Sequence, residues 1–149
     1  LMVAKVRGRF TEVSGTVEVG ETLAETSVRA RAAAASISTN QADRDAHLRG
    51  ADFFDVQTYP ELTFESTAVT ADSMTGTLTI KGVSRPVIFD VEFEGVQADP
   101  WGNTKAGFTA TTAINRSDWG LTWNAAIEGG GVLVSDKIAI TLEVELLKG

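Results

Sequence analysis

Residues 87–95 read VIFDVEFEG, with Val87, Phe89, Val91 and Phe93 spaced two apart and Asp90, Glu92 and Glu94 between them. Successive side chains of a β-strand point to opposite faces, so this spacing gives one apolar face and one charged face. The pattern recurs along most of the chain. Residues 10–19 place Val13, Val17 and Val19 on one side. Residues 62–70 oppose Leu62, Phe64 and Ala68 to Glu65, and residues 74–81 set Leu78 and Ile80 against Thr77, Thr79 and Lys81. Residues 105–114 follow as a strand. Residues 133–147 form the last and longest, alternating Ile138, Ile140, Leu142, Val144 and Leu146 with Lys137, Thr141, Glu143 and Glu145. Residues 23–37 are alanine-rich, and alanine favours helix. Yet Val28, Ala30, Ala32 and Ala34 alternate with Arg29, Arg31 and Ala33. Period two prevails there and predicts one long strand.

Two stretches break the alternation. Residues 44–64 (RDAHLRGADFFDVQTYPELTF) carry the single histidine, His47, and the pair Phe53-Phe54. Asn40 and Asp43 are candidate N-caps. Gly50 interrupts the segment, which predicts two short helical turns rather than one helix. Tyr59-Pro60 forces extended backbone before the next strand. Residues 115–132 hold a second crossover, with a capped turn at Ser117-Asp118 and three glycines at 129–131. Residues 82–86 and 99–103 read as turn and loop.

Seven strands joined mostly by short turns, with two irregular crossovers and no longer repeat, predict an all-β sandwich or barrel forming a single domain over 1–149. A strand of about ten residues spans roughly 34 Å, and tilted by about 40° it rises roughly 26 Å along a barrel axis. Such a barrel is tall and narrow, and suits a long thin ligand.

Composition removes several function classes. A net charge of −7 opposes nucleic acid, which needs clustered Lys and Arg. The absence of cysteine removes thiolate catalysis and cysteine-based metal sites. His47 without three converging carboxylates makes no zinc site. No G-x-S-x-G elbow is present. The three glycines at 129–131 precede no Lys-Ser/Thr, so they are no phosphate loop. Catalytic residues, metal ligands and cofactors are therefore expected to be none. The apolar runs are too short for an integral membrane segment. Cytoplasmic residence is the expectation. A periplasmic or secreted one is the alternative, because Leu1-Met2-Val3 reads like the interior of a longer protein.

The segments RDAHLRGADFFD, YPELTF, GTLTIKGVSRPV, GFTATTAINRSDWGLTWN and LVSDKIAITLEVEL resemble the YceI family of polyisoprenoid-binding, lipocalin-like proteins. The resemblance runs from about Lys5 onward, with the motifs in order. It implies an eight-stranded antiparallel lipocalin-like β-barrel with two short helical crossovers. It also implies binding of a polyprenyl phosphate or isoprenoid quinone, rather than catalysis. The family's opening strand, which carries an Asp-x-x-His-Ser-like segment, has no counterpart before Leu1. Seven visible strands leave either an upstream strand or a homodimer partner to complete the barrel. Trp119 stands where the family more often has phenylalanine, and its larger ring is expected to narrow the pocket or its mouth.

The candidate ligand-contacting residues are the inward set and the crossover aromatics. They comprise Val28, Ala30, Ala32, Ala34, Phe53, Phe54, Phe64, Leu78, Ile80, Phe89, Val91, Phe93, Phe108, Trp119, Trp123, Ile140 and Leu142. A side-chain-filled core explains such alternation equally well. The alanine row at 30, 32 and 34 favours a cavity, because small residues leave volume to be occupied. Arg44 and Arg49 are head-group candidates through bidentate hydrogen bonding. His47 is expected to be structural. The alternatives are a lipocalin-like enzyme acting on a bound isoprenoid, and a stress-related interaction protein with a filled barrel.

Overall fold

A computed structural model describes residues 7–98, 100–101, 104–123 and 136–148. Seven strands form one antiparallel sheet. They are β2 (Val13–Glu18), β3 (Ser27–Ala33), β5 (Glu61–Val69), β6 (Ser73–Ile80), β7 (Val83–Ala98), β8 (Thr104–Asn115) and β9 (Lys137–Lys148), hydrogen-bonded in that order. The sheet curls into a half-barrel around one apolar core. Two short strands, β1 (Arg9–Phe10) and β4 (Ile37–Ser38), pair separately. Among the described residues, one α-helix, α1 (Ala42–Arg49), crosses between β4 and β5. No helix among the described residues is long and apolar enough to cross a membrane.

The antiparallel order gives the half-barrel two distinct ends. One holds the crossover with α1, the β6–β7 turn and the β8–β9 connection. The other holds the β2–β3, β5–β6 and β7–β8 connections. We call these the helix end and the hairpin end.

The seven strands expected from alternation are present, with corrections to several limits; of residues 10–19, only Val13–Glu18 belong to the sheet, and Phe10 pairs with Ile37 in β1. The long strand predicted over residues 23–37 is strand only at Ser27–Ala33. Leu23–Glu25 and Ala34–Ser36 are 3-10 turns. The chain turns at Ala34 because its N–H donates to the Pro60 carbonyl (2.8 Å), while the Ser36 hydroxyl donates to the Ala33 carbonyl (2.7 Å). The alanine row therefore has two members on the strand, Ala30 and Ala32, and Ala34 is buried in the turn. The turn predicted over residues 82–86 is shorter. Lys81 and Gly82 (φ 50° and 75°) make a two-residue hairpin, and β7 runs on through Pro86. Finally, α1 starts one residue after Gln41, and no side chain caps it. The glycines at 129–131 lie outside the described residues.

The Lys81-Gly82 hairpin also fixes the crossover. Lys81 Nζ donates to the Ala51 carbonyl (3.0 Å), and a side chain at Gly82 would meet the Tyr59 ring at 2.7 Å. Gly76 plays a similar part inside the sheet, where a Cβ would strike the Phe64 ring at 2.4 Å.

Candidate functional site

The inner face of the sheet is packed toward one side and half-open toward the other. The packed part joins Val28, Phe64, Met74, Leu78, Ile80, Val87 and Phe89 with Phe108, Ala110 and Ile114. Phe64 and Phe89 meet edge to face at 5.2 Å, and Met74 is 1% exposed. Trp119 closes this core from the helix end, buried, with Nε1 donating to the Leu78 carbonyl at 2.9 Å.

The open part follows from strand length. The β6–β7 ladder ends at the Ser73–Asp90 pair. Residues 91–98 of β7 continue beyond it; apart from the Val91 N–H, which donates to the Asp72 carbonyl (2.8 Å), they pair with β8, which in turn pairs with β9. Register sets Val91, Ala110 and Leu142 in one inward row, and Phe93, Phe108 and Val144 in the next. Burial falls along this face. Phe89 is 2% exposed, Val91 is intermediate, Phe93 is 56% exposed and Val96 is 66%. Half-buried apolar side chains also run up β9 at Ile138, Ile140, Leu142 and Val144, and Ala30 with Val17 does the same on the opposite edge of the sheet. Ala32 is likewise intermediate, paired with Val13 and Leu62.

The sequence-predicted residues thus divide. Val28, Ala34, Phe53, Phe64, Leu78, Ile80, Phe89, Phe108 and Trp119 are buried among other side chains. Ala30, Ala32, Phe54, Val91, Trp123, Ile140 and Leu142 are half-buried, and Phe93 is exposed although its backbone pairing puts it on the inner face. The half-buried β9 residue Val144 continues the alternation of its strand, whereas the exposed Val96 is out of phase with Val87, Phe89, Val91 and Phe93 and returns to the inner face only through the bulge between Phe93 and Gly95, which alternation does not reveal.

The outer face has different chemistry. The Glu92–Thr109–Glu143 and Gly95–Gly107–Glu145 rows lie side by side toward the hairpin end. Glu94 accepts a hydrogen bond from the Thr109 hydroxyl. A depression of about 450 Å³ lies over Gly95 and Gly107, rimmed by Glu94, Glu143 and Glu145. A second, of about 280 Å³, is lined by Glu12, Ser14, Arg31 and Glu61. Arg29–Glu65 and Arg31–Glu61 pair across β3 and β5 at 3.2 Å each. Both pairs are solvent-exposed and contribute little to stability.

The helix end is held by two side-chain clusters. In one, His47 Nε2 lies 3.0 Å from Asp52 Oδ2. Its ring stands edge-on to Phe53 (5.0 Å) and Trp123 (4.6 Å), and Arg116 lies over Phe53 at 5.9 Å. Buried Arg116 donates to the Leu121 carbonyl at 2.6 Å. Phe54 instead meets Phe10 of β1, with centroids 5.7 Å apart.

In the other cluster Asp45 accepts from the Thr39 hydroxyl (2.5 Å) and the Thr39 N–H (2.8 Å). Arg44 is engaged there, donating to the Thr39 hydroxyl and carbonyl. Arg49 acts on Asp45 through its charge, and its guanidinium makes no hydrogen bond or ion pair among the described residues. Its guanidinium donors are thus available at the helix end, whereas those of Arg44 are partly used. The Thr39 hydroxyl bond outweighs the opposing effect of burial. With the Thr39 N–H and the Arg49 and Arg44 charges, it holds the Asp45 carboxyl below its ordinary 3.8. A depressed folded-state value contributes stability that is full above the unfolded pKa and is lost as pH falls through the folded one. Asp45→Asn should therefore melt below wild type at neutral pH, with the gap narrowing under acid. Thermal melts recorded by circular dichroism from neutral to acidic pH test this. A constant gap would show that ionisation of Asp45 contributes nothing.

The YceI-like domain profile matches residues 1–146. The chain belongs to the YceI-like family. A UPF0312 protein of Staphylococcus aureus strain N315 is 37% identical over 148 residues, covering 97% of this chain and 86% of the relative. The crystal structure of the Campylobacter jejuni YCEI protein superposes with a TM-score of 0.86 at 33% identity, covering 100% of this chain and 88% of that one. Burkholderia cenocepacia BcnA gives a TM-score of 0.79 at 25% identity, over 97% and 90% of the two chains. The half-barrel is thus a YceI-like, lipocalin-like fold, and binding inside the sheet's concave face is the activity such a fold is suited to.

Proposed function

We propose that this YceI-like protein binds a long-chain isoprenoid lipid, a polyprenyl phosphate or an isoprenoid quinone, inside the barrel and carries or stores it without transforming it. The observation that carries this reading is the half-open apolar face built by Val91, Phe93, Phe108, Ile140, Leu142 and Val144. Its β9 portion, from residue 138 to residue 144, spans roughly 20 Å at about 3.4 Å per residue. That length matches an extended hydrocarbon chain better than a compact ligand. Each CH₂ removed from water contributes about 0.8 kcal/mol, so a few isoprene units offset the cost of immobilising the chain. Arg49, with uncommitted donors at the helix end, is the favoured head-group contact; Arg44 is the second.

Native mass spectrometry of the purified protein, with organic extraction of whatever copurifies, tests the reading. A prenyl chain in the extract, or uptake of added farnesol, supports it. A protein that arrives without lipid and takes up none refutes it, and turnover of the lipid would replace carriage with catalysis. Ala32→Phe adds bulk at a half-buried inward position between Val13 and Leu62. It is expected to lower farnesol uptake by about tenfold or more while the chain stays folded. Unchanged uptake would move the ligand away from β3.

A further inference from the structure

Large apolar side chains are exposed at seven described positions, and five of them, Val19, Leu23, Phe93, Val96 and Trp101, belong to the hairpin end. Val19 and Leu23 lie in the β2–β3 connection, and Trp101, 84% exposed, lies in the β7–β8 connection. Phe93 and Val96 join that second tip to the inner face. The third connection at this end is polar, built on Thr70, Asp72 and Ser73. Projecting loop tips differ from a groove. They cannot enclose a partner's side chain, but they can enter a soft apolar medium, and tryptophan suits the boundary between hydrocarbon and water.

Charge narrows the choice of medium. Among the described side chains, Glu18, Glu21, Glu25, Asp72, Glu92, Glu94 and Glu143 are exposed around the same end, against Arg29, which is already paired with Glu65; the register adds Lys105 and Lys148 there, which leaves the acids in excess. An anionic surface attracts basic segments and repels acidic ones. We infer that the hairpin end docks on an electrically neutral lipid bilayer, with Trp101, Val96, Val19 and Leu23 as the inserting residues. The docked end is then the port through which lipid passes between bilayer and barrel. A lipid drawn head first from the bilayer would carry its head group toward Arg49 at the far end, with its tail trailing along Phe93 and Val96. The port rests on the lipid-binding reading, but docking and lipid uptake fail separately.

The test uses the full chain and vesicles of phosphatidylcholine, alone or with roughly a third replaced by phosphatidylglycerol. Wild type should cosediment with phosphatidylcholine vesicles and less with the anionic ones. Brominated acyl chains should quench its tryptophan fluorescence. Trp101→Ala and Leu23→Glu should each lower the partition coefficient by about tenfold, with unchanged circular dichroism and melting temperature. Absence of binding to phosphatidylcholine, tighter binding to the anionic vesicles, or unchanged partitioning of both variants overturns the inference. A concentration-dependent dimer that dissociates on Trp101→Ala also overturns it, by showing that a second copy covers the patch. Farnesol uptake in vesicle-free buffer separates the two readings. Uptake without vesicle binding removes the docking alone, whereas vesicle binding without uptake removes lipid carriage and with it the port.

Discussion

Trp119→Ala should destabilise the fold by about 3–5 kcal/mol, the usual cost of truncating a large buried aromatic. For a domain of this size that is a fall in melting temperature of roughly 10 °C or more. The reason lies in how the helix end is closed. The 3-10 turn Arg116–Trp119 ends on Gly120 in the left-handed region (φ 78°), which lets the chain reverse and bury Leu121 directly after Trp119. Arg116 then holds the reversal by donating to the Leu121 carbonyl. The indole fills the space beneath β6 and bonds the Leu78 carbonyl, so alanine would remove both packing volume and a hydrogen bond. Trp119→Phe keeps most of the ring and loses the N–H, for which about 1–2 kcal/mol is expected. Differential scanning calorimetry of the three proteins decides the matter. If alanine melts within about 2 °C of wild type, Trp119 is not part of the packing that closes this end.

This residue also marks where sequence reasoning reaches its limit. Alternation identified the strands, and the short turns between most of them pointed to a sandwich or barrel. Alternation cannot give depth. Phe89 and Phe93 have the same spacing and the same face, yet one is 2% exposed and the other 56%. The difference is that β6 covers β7 only as far as Asp90, a tertiary fact with no local signal. The limits of β3 were hidden for the same reason, since the bond that turns the chain at Ala34 comes from Pro60. Pro86 reads as a turn residue but sits within β7, paired with Thr77 on one side, while the β7–β8 ladder starts only at Asp90. Its missing N–H therefore costs no ladder bond on the β8 side. Trp119 was legible as a large aromatic in an irregular segment. Its acceptor, Leu78, lies on another strand, so a pocket role and a packing role looked alike. The Asp45–Thr39 pair had a weak signal, an acid in the first turn of a helix preceded by a threonine.

Phe93→Glu should abolish uptake of a prenyl probe, by about a hundredfold or more, and leave the fold nearly unchanged. The two halves of this expectation come from one geometry. Phe93 is 56% exposed and its closest aromatic partner, Phe108, lies 6.5 Å away centroid to centroid, so little packing is lost. Exposed substitutions of this kind usually shift stability by about 0.5 kcal/mol or less. A hydrocarbon chain lying across Phe93 and Val144 would strip water from the new carboxylate, and no cation on the inner rows Val91–Ala110–Leu142 and Phe93–Phe108–Val144 is available to replace it. Phe93→Leu provides the contrast, since it keeps the face apolar and should retain uptake within about tenfold. Farnesol titration followed by native mass spectrometry, with melting curves on the same samples, separates the outcomes. Loss in Glu but not Leu, at constant melting temperature, places the chain on the β7–β9 extension. Wild-type uptake in Phe93→Glu would place it elsewhere, and the length of β7 beyond β6 would then have to serve another purpose.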